Sequence, residues 1–243
     1  MSEKGEILKQ VIASELKKNP NDPVDMFVLL TRCALDIICE SAMGININAQ
    51  TDHNGEYSVA LHSITIQAVD RLFRPWLHAD WIYYRTSRGK NFKRSVEISH
   101  KFTNQVISER KLARKIQQEN PDEDTFTDKP KRQAFLDHLL DACDRDNMPL
   151  TNDELREEVD TFMFAGHDTT AAAMSWALFC IGNHPDVEEK IHQEQLDVFG
   201  DSTEPATLHQ LSELKYLERV IKETLRLFPS APTISRSVTE DIE

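Results

Sequence analysis

Apolar residues recur at steps of three and four along most of the chain, the period of an amphipathic helix rather than the alternation of a strand. Ile7, Leu8, Val11, Ile12 and Leu16 define a first helix that should stop before Pro20. Asp22 and Pro23 read as an N-cap and a first-turn proline, opening a helix that runs to about Met43 and ends at Gly44. Polar turn residues from Thr51 to Gly55 lead into a helix over Tyr57 to Phe73, and Trp76, Trp81, Tyr83 and Tyr84 fill the next connection. Phe92, Val96, Phe102 and Val106 predict a long helix from Arg88 to Gln118. The acidic, proline-containing stretch Glu119 to Arg132 reads as an exposed loop, after which Phe135, Leu136, Leu139 and Leu140 resume helical spacing.

Thr151-Asn152-Asp153-Glu154 fits a capping box, in which hydroxyl and carboxylate accept the first free backbone N–H groups. No breaker follows until Gly182 and Pro185, so one helix of about 30 residues, roughly 45 Å long, is predicted. Its middle, Phe164 to Thr170, combines glycine, aspartate and two threonines, all poor helix formers. Two explanations stand. One is a core helix that kinks there and binds nothing. The other is chemical: glycine lets a ligand lie against backbone, threonine hydroxyls bond back to the previous turn, and an adjacent acid and alcohol can pass protons into a buried site. His167 has no H-E-x-x-H pattern or cysteine pair beside it and is not read as a metal ligand.

Composition narrows the class. Of 243 residues, 40% are hydrophobic and only seven are glycine, which suits a packed, mainly α chain with little β structure. A net charge of −13 argues against a nucleic-acid partner, whose phosphates are held by basic groups. Cys33, Cys39, Cys143 and Cys180 lack C-x-x-C or zinc spacing and read as free thiols of a reducing compartment. The most apolar run, Met26 to Met43, carries Arg32, Asp36 and Glu40 on one helix face, so a buried helix is expected there and no membrane anchor in this chain. Charge is also uneven, with ten lysines and arginines between Arg85 and Lys115 against Glu97 and Glu109. That run is either a solvated helix face or a surface that approaches an anionic membrane.

Ala165-Gly166-His167-Asp168-Thr169-Thr170 resembles the A/G-G-x-D/E-T-T signature on the long distal helix of cytochromes P450. Glu223-Thr224-Leu225-Arg226, followed by Phe228-Pro229 and Arg236, resembles the E-x-x-R signature of the same family. Their order, their separation and the helix start at Asn183-His184-Pro185 between them strengthen the match. Upstream, the stretches Asp36 to Gly44 and Phe102 to Arg110 are similar to the fatty-acid ω-hydroxylase branch, family four. The resemblance runs from about Val24 onwards. It implies a mainly α, partial cytochrome P450 fold around one long central helix, with residues 1–243 forming a single incomplete domain.

The same resemblance implies a haem mono-oxygenase acting on fatty acids or similar lipophiles, with O2 and electrons drawn from NADPH. The implied partners are NADPH–cytochrome P450 reductase, a lipophilic small-molecule substrate and a membrane surface, the cytosolic face of the endoplasmic reticulum. Gly166 would lie over the haem face, with Ala165 and Thr169 beside it, and Asp168 and Thr169 would relay protons to the reacting oxygen. Thr161, Phe162 and Ala165 would face substrate, and the segment from Ala231 through Ile234 to Ser235 would form another cavity wall. Arg236 would meet a haem propionate with its planar fork. Glu223 and Arg226 are read two ways. The helical wheel sets them opposite the apolar stripe of Leu217, Val220, Ile221, Thr224, Leu225 and Phe228, as an exposed pair. The resemblance instead implies a buried structural ion pair.

Two departures change what is expected. Many family-four members carry a glutamate ester-linked to haem where this chain has Ala165, so non-covalent haem is implied. The F-x-x-G-x-x-x-C-x-G loop bearing the axial cysteine is absent from these 243 residues. No residue here is therefore expected to ligate the iron, and the alternative to an active enzyme is a non-catalytic fragment, splice form or incomplete gene product unable to ligate haem.

Overall fold

The computed structural model describes residues 2–239 apart from 19, 21, 52–54, 120–132, 146–149, 203 and 235. Among the described residues there is no strand, as the three-and-four spacing requires. The helices are α1 (Ser2–Lys18), α2 (Met26–Ile38), α3 (Glu56–Leu72), α4 (Asp80–Tyr83), α5 (Ser87–Glu119), α6 (Phe135–Arg145), α7 (Asn152–Gly182), α8 (Pro185–Phe199), α9 (Leu208–Glu213) and α10 (Lys215–Leu227). The helix expected to open at Pro23 begins instead at Met26. Asp25, not Asp22, accepts the backbone N–H of Phe27 at 3.0 Å. Of the expected loop from Glu119 to Arg132, Glu119 closes α5 and the remainder lies outside the described residues.

The chain divides into two compact units, Leu35–Gly166 and a unit made of Met1–Ala34 with His167–Glu243. In the Leu35–Gly166 unit, α2 runs on through a π-helical turn, Cys39–Met43, and stops at Gly44. Gly44 has φ +69°, and a Cβ there would meet the Arg110 guanidinium at 2.8 Å, so both conformation and space demand glycine. Arg110 donates to Gly44 O at 3.3 Å and forks onto Asp137 with Nε at 2.7 Å and Nη2 at 2.5 Å. Asp137 also accepts the N–H of Ala134 at 3.0 Å, so one buried carboxylate caps α6 and ties it to α5.

The core of this unit gathers Leu35, Cys39, Met43, Tyr57, Leu61, Val106, Leu136, Leu140, Leu155, Val159 and Met163. α3 and α5 lie antiparallel: Tyr57 at one end stacks on Phe102 with centroids 4.1 Å apart, and Asp70 at the other pairs with Arg88 at 3.0 Å. The capping box at the start of α7 forms as the sequence predicts. Glu154 N–H donates to Thr151 Oγ1 at 3.2 Å, and Thr151 N–H donates to the Glu154 carboxylate at 2.8 Å.

In the second unit Leu30, Ala34 and Ala171 make a small core, with Leu8, Met26, Phe27 and Met174 against it. α8 opens with Pro185 in its first turn, at the start that Asn183-His184-Pro185 predicts. Its Glu194 carboxylate accepts the N–H groups of Tyr216 (2.6 Å) and Leu217 (2.9 Å), so an acid on α8 satisfies the free donors that begin α10. Trp176 stacks flat on Phe228 at 4.3 Å and 7°.

Candidate functional site

The weak centre of α7 stays helical, and its two sides meet different surroundings. Gly166 faces inward: a Cβ built there would lie 2.7 Å from Ile38 Cδ1. The close backbone approach that glycine permits is thus made to α2 of the protein itself, a packing reason that the sequence reading did not contain. His167 is buried and Asp168 half-buried. Thr161, Phe162 and Ala165 are exposed, and so is Thr169, one turn on from Ala165. The Phe162 ring lies tilted by 36° against that of Phe135, with centroids 3.9 Å apart, and stays 42% exposed. The Thr161 hydroxyl donates to Glu157 O at 2.8 Å, the bond back to the previous turn expected of threonine in this helix.

Before this open strip, α7 is held by a polar crossing with α5. Thr103 is fully buried and its hydroxyl donates to Asp160 Oδ1 at 2.5 Å. His100 Nε2 and Arg156 Nε stand 3.9 Å and 3.8 Å from Asp160 Oδ2. Burial pushes the Asp160 carboxyl up, against the opposing pull of Thr103, His100 and Arg156. Sequence reasoning missed this cluster. The available signal was Ser95, Ser99 and Thr103, small hydroxyl residues four apart that form a buried stripe on an otherwise charged helix.

Past the strip, within the second unit, the Ser230 hydroxyl donates to Thr169 O at 3.0 Å. The structure therefore brings the turn after Pro229, and Ala231 with it, beside Thr169. Ala231, Ile234 and Arg236 are exposed, and Ser235 lies outside the described residues. Glu223 and Arg226 form a two-bond fork, both bonds 2.8 Å, with side chains 57% and 68% exposed. In this structure the pair sits on the open side of α10, where the helical wheel puts it.

The four cysteines are free, Cys33 and Cys39 being buried. Burial, with Asp36 adding to it, pushes the Cys39 thiol up to about 12, far from the thiolate a metal would need. Among the described residues no group of three or more histidines, cysteines or acids could hold a metal ion. No helix among them is long and apolar enough to cross a membrane.

This chain thus has a long helix with one packed side, an open strip of small, aromatic and hydroxyl residues, and a downstream turn tied to its Thr169 carbonyl. It belongs to the cytochrome P450 family, whose model matches residues 1–243. Among its relatives are human cytochrome P450 4V2, 46% identical over 96% of this chain and 45% of that protein. Cytochrome P450 4c3 of Drosophila melanogaster is 42% identical over 99% of this chain and 46% of that protein. Cytochrome P450 4c21 of Blattella germanica is 41% identical over 100% and 48%. The chain spans about half the length of the curated relatives it matches.

Proposed function

We propose that this chain belongs to a haem mono-oxygenase that hydroxylates fatty acids or similar lipophiles. Both units are then parts of one cytochrome P450 domain. The observation that carries the reading is the two-sidedness of α7, with Gly166 packed on Ile38 while Ala165 and Thr169 stay open one turn apart. A methyl side chain followed by a hydroxyl, flanked by the Phe162 ring, suits a flat, largely apolar cofactor. When bound, haem supplies the oxygen-activating redox chemistry, with electrons from NADPH through a flavoprotein reductase.

The chain's own residues then do the following. Ala165 would leave space at the cofactor face and offers no carboxylate for an ester, so haem would be held there without a covalent link. Gly166, packed on α2, sets the depth of that face. Thr169 Oγ1 would hold a proton toward the cofactor face, and Asp168 beside it in the chain would resupply that proton. Thr161 and Phe162 would supply substrate-facing surface on α7, Ala231 and Ile234 would do so in the segment after Pro229, and Arg236 would pair with a propionate. Glu223 and Arg226 serve as a structural pair in the whole protein.

Membrane contact fits another feature. Phe73, Trp76 and Trp81 are exposed at 76%, 65% and 67%, with Arg74, Arg85 and Arg88 close in sequence, an aromatic and basic combination suited to a lipid interface. This supports placement at the cytosolic face of the endoplasmic reticulum.

The test uses the full-length protein loaded with haem and its reductase. Asp168→Asn and Thr169→Ala should each lower hydroxylated laurate formed per NADPH consumed by about tenfold or more, the scale of positioned proton transfer. The carbon-monoxide difference spectrum should stay of the thiolate type. Unchanged coupling in both variants would remove Asp168 and Thr169 from the chemistry, and a wild-type protein with no such spectrum would remove the haem.

A further inference from the structure

Within the Leu35–Gly166 unit, away from the open strip of α7, lies a cavity of about 510 Å³ that the proposed reaction does not use. Its size falls in the range of about 300–1,000 Å³ usual for small-molecule sites. Leu35, Ile47, Ala49 and the stacked Tyr57–Phe102 pair make an apolar floor. α5 presents Arg94, Glu97, Ile98, Lys101 and Phe102 to it, one stripe at helical spacing. The opposite wall is fixed in advance, because the buried Asp36 carboxylate accepts the N–H groups of Ala49 (2.6 Å) and Gln50 (3.2 Å).

The mouth has an unusual charge pattern. Arg94 and Lys101 stand with Glu56 and Glu97, two charges of each sign, all exposed. None of the four forms an ion pair among the described residues, although Glu97 is three positions from Arg94 and four from Lys101. Elsewhere in this unit several charged groups are paired, among them Arg74 with Asp70 at 2.8 Å, Arg71 with Asp80 at 2.5 Å and Arg110 with Asp137 at 2.5 Å. An apolar pocket ringed by one sign of charge would select a simple ion. Balanced, unpaired charges of both signs repel part of any singly charged head and match a head that carries both.

We propose that this cavity binds a zwitterionic amphiphile. Its apolar body rests on the Tyr57–Phe102 floor, its anionic group meets Arg94 and Lys101, and its cationic group meets Glu56 and Glu97. The test is isothermal titration of the full chain with dodecylphosphocholine below its micelle concentration. Dodecyl phosphate and dodecyltrimethylammonium, with the same tail and charge of a single sign each, are the controls. Dodecylphosphocholine should bind about tenfold more tightly than either control, the sum of two modest exposed ion pairs. Glu97→Lys, a surface change that leaves the core intact, should invert the preference toward dodecyl phosphate. Phe162→Trp on α7 should leave dodecylphosphocholine affinity unchanged. Equal affinity for all three probes, a preference unmoved by Glu97→Lys, or loss on Phe162→Trp would each overturn the assignment. Co-sedimentation with phosphatidylcholine vesicles that Glu97→Lys weakens would identify the ligand as bilayer lipid. Binding of the single-tailed probe without such sedimentation would identify it as a free amphiphile.

Discussion

The Leu35–Gly166 unit gathers thirteen buried residues into one core and ties the buried Asp137 carboxylate to Arg110, whereas the buried cluster of the other unit is three residues. Leu136, Val159 and Met163 are fully buried in the first. In the second, Phe179, Leu208, Leu227 and Ile234 are 57%, 85%, 52% and 81% exposed, and the shared core is three residues with a few neighbours. Exposed apolar surface of this extent marks a place for binding rather than a source of stability. The lesson is that the same chain carries two regimes. In one, removing a side chain breaks contacts between elements; in the other, many side chains have few contacts to lose.

The sharpest way to break this comparison is to remove a buried charge from the first unit. Asp137→Ala leaves Arg110 facing Gly44 O without its counter-charge and frees the N–H of Ala134. A loss of about 3–5 kcal/mol is expected from urea unfolding, the usual cost of stranding one partner of a buried pair. The pH dependence has a definite sign. The hydrogen bond from Arg110 holds the Asp137 carboxyl below the usual carboxylate range. The folded pKa is thus below the unfolded value of about 4. The stabilisation is complete above the unfolded value and fades as pH falls through the folded one. Wild type should lose urea resistance in that acid window, and Asp137→Asn should show a flatter profile.

Next in size is a core deletion set against an open one. Leu136→Ala should cost about 2–5 kcal/mol, because the side chain is fully buried and its cavity cannot close. Ile221→Ala on α10, where the side chain is 41% exposed, should change the midpoint by less than about 0.5 kcal/mol. Equal losses at the two positions would erase the contrast between the units.

Much of the fold was legible because helices of this length repeat their apolar positions many times. α5 and α7 match their predicted spans to within one residue at each end. The capping box at Thr151 and the glycine stop at Gly44 were readable because each rests on local backbone chemistry. What could not be read was what each side of α7 meets. The Phe164 to Thr170 pattern marks a weakened turn, but only Ile38, more than a hundred positions away in sequence, shows that Gly166 is the packed side. The Thr103–Asp160 bond and the Ser230–Thr169 bond escaped for the same reason, since each joins residues more than fifty positions apart. α10 is the converse case. Its wheel sets Glu223 and Arg226 on the side that is exposed in this structure, yet an amphipathic pattern does not say how much of the apolar side is covered.

A finer test bears on that packed side of α7. Gly166→Ala places a methyl 2.7 Å from Ile38 Cδ1, and overpacking of this kind costs about 1–3 kcal/mol. Ile38→Ala should recover part of the loss, so the double-mutant cycle should show a favourable coupling between the two positions. Additive losses would mean that the glycine is required by the backbone and not by Ile38.

The smallest effect is expected where the chemistry looks most like the largest. Glu223 and Arg226 join through the same two-bond fork as Asp137 and Arg110, 2.8 and 2.8 Å against 2.7 and 2.5 Å. Bond length and partner type are therefore nearly matched, and exposure is what differs. The Asp137 side chain is 8% exposed, that of Glu223 57%. Water can replace either partner of the exposed fork, and dissolved salt screens it over a Debye length of about 8 Å at physiological ionic strength. Glu223→Gln and Arg226→Met in this chain should unfold in urea at the wild-type midpoint within error, with and without added salt. A midpoint that falls as far as that of Asp137→Ala would show that α10 is covered in solution on the side that lies open here. The contrast between the two units would then not extend to α10.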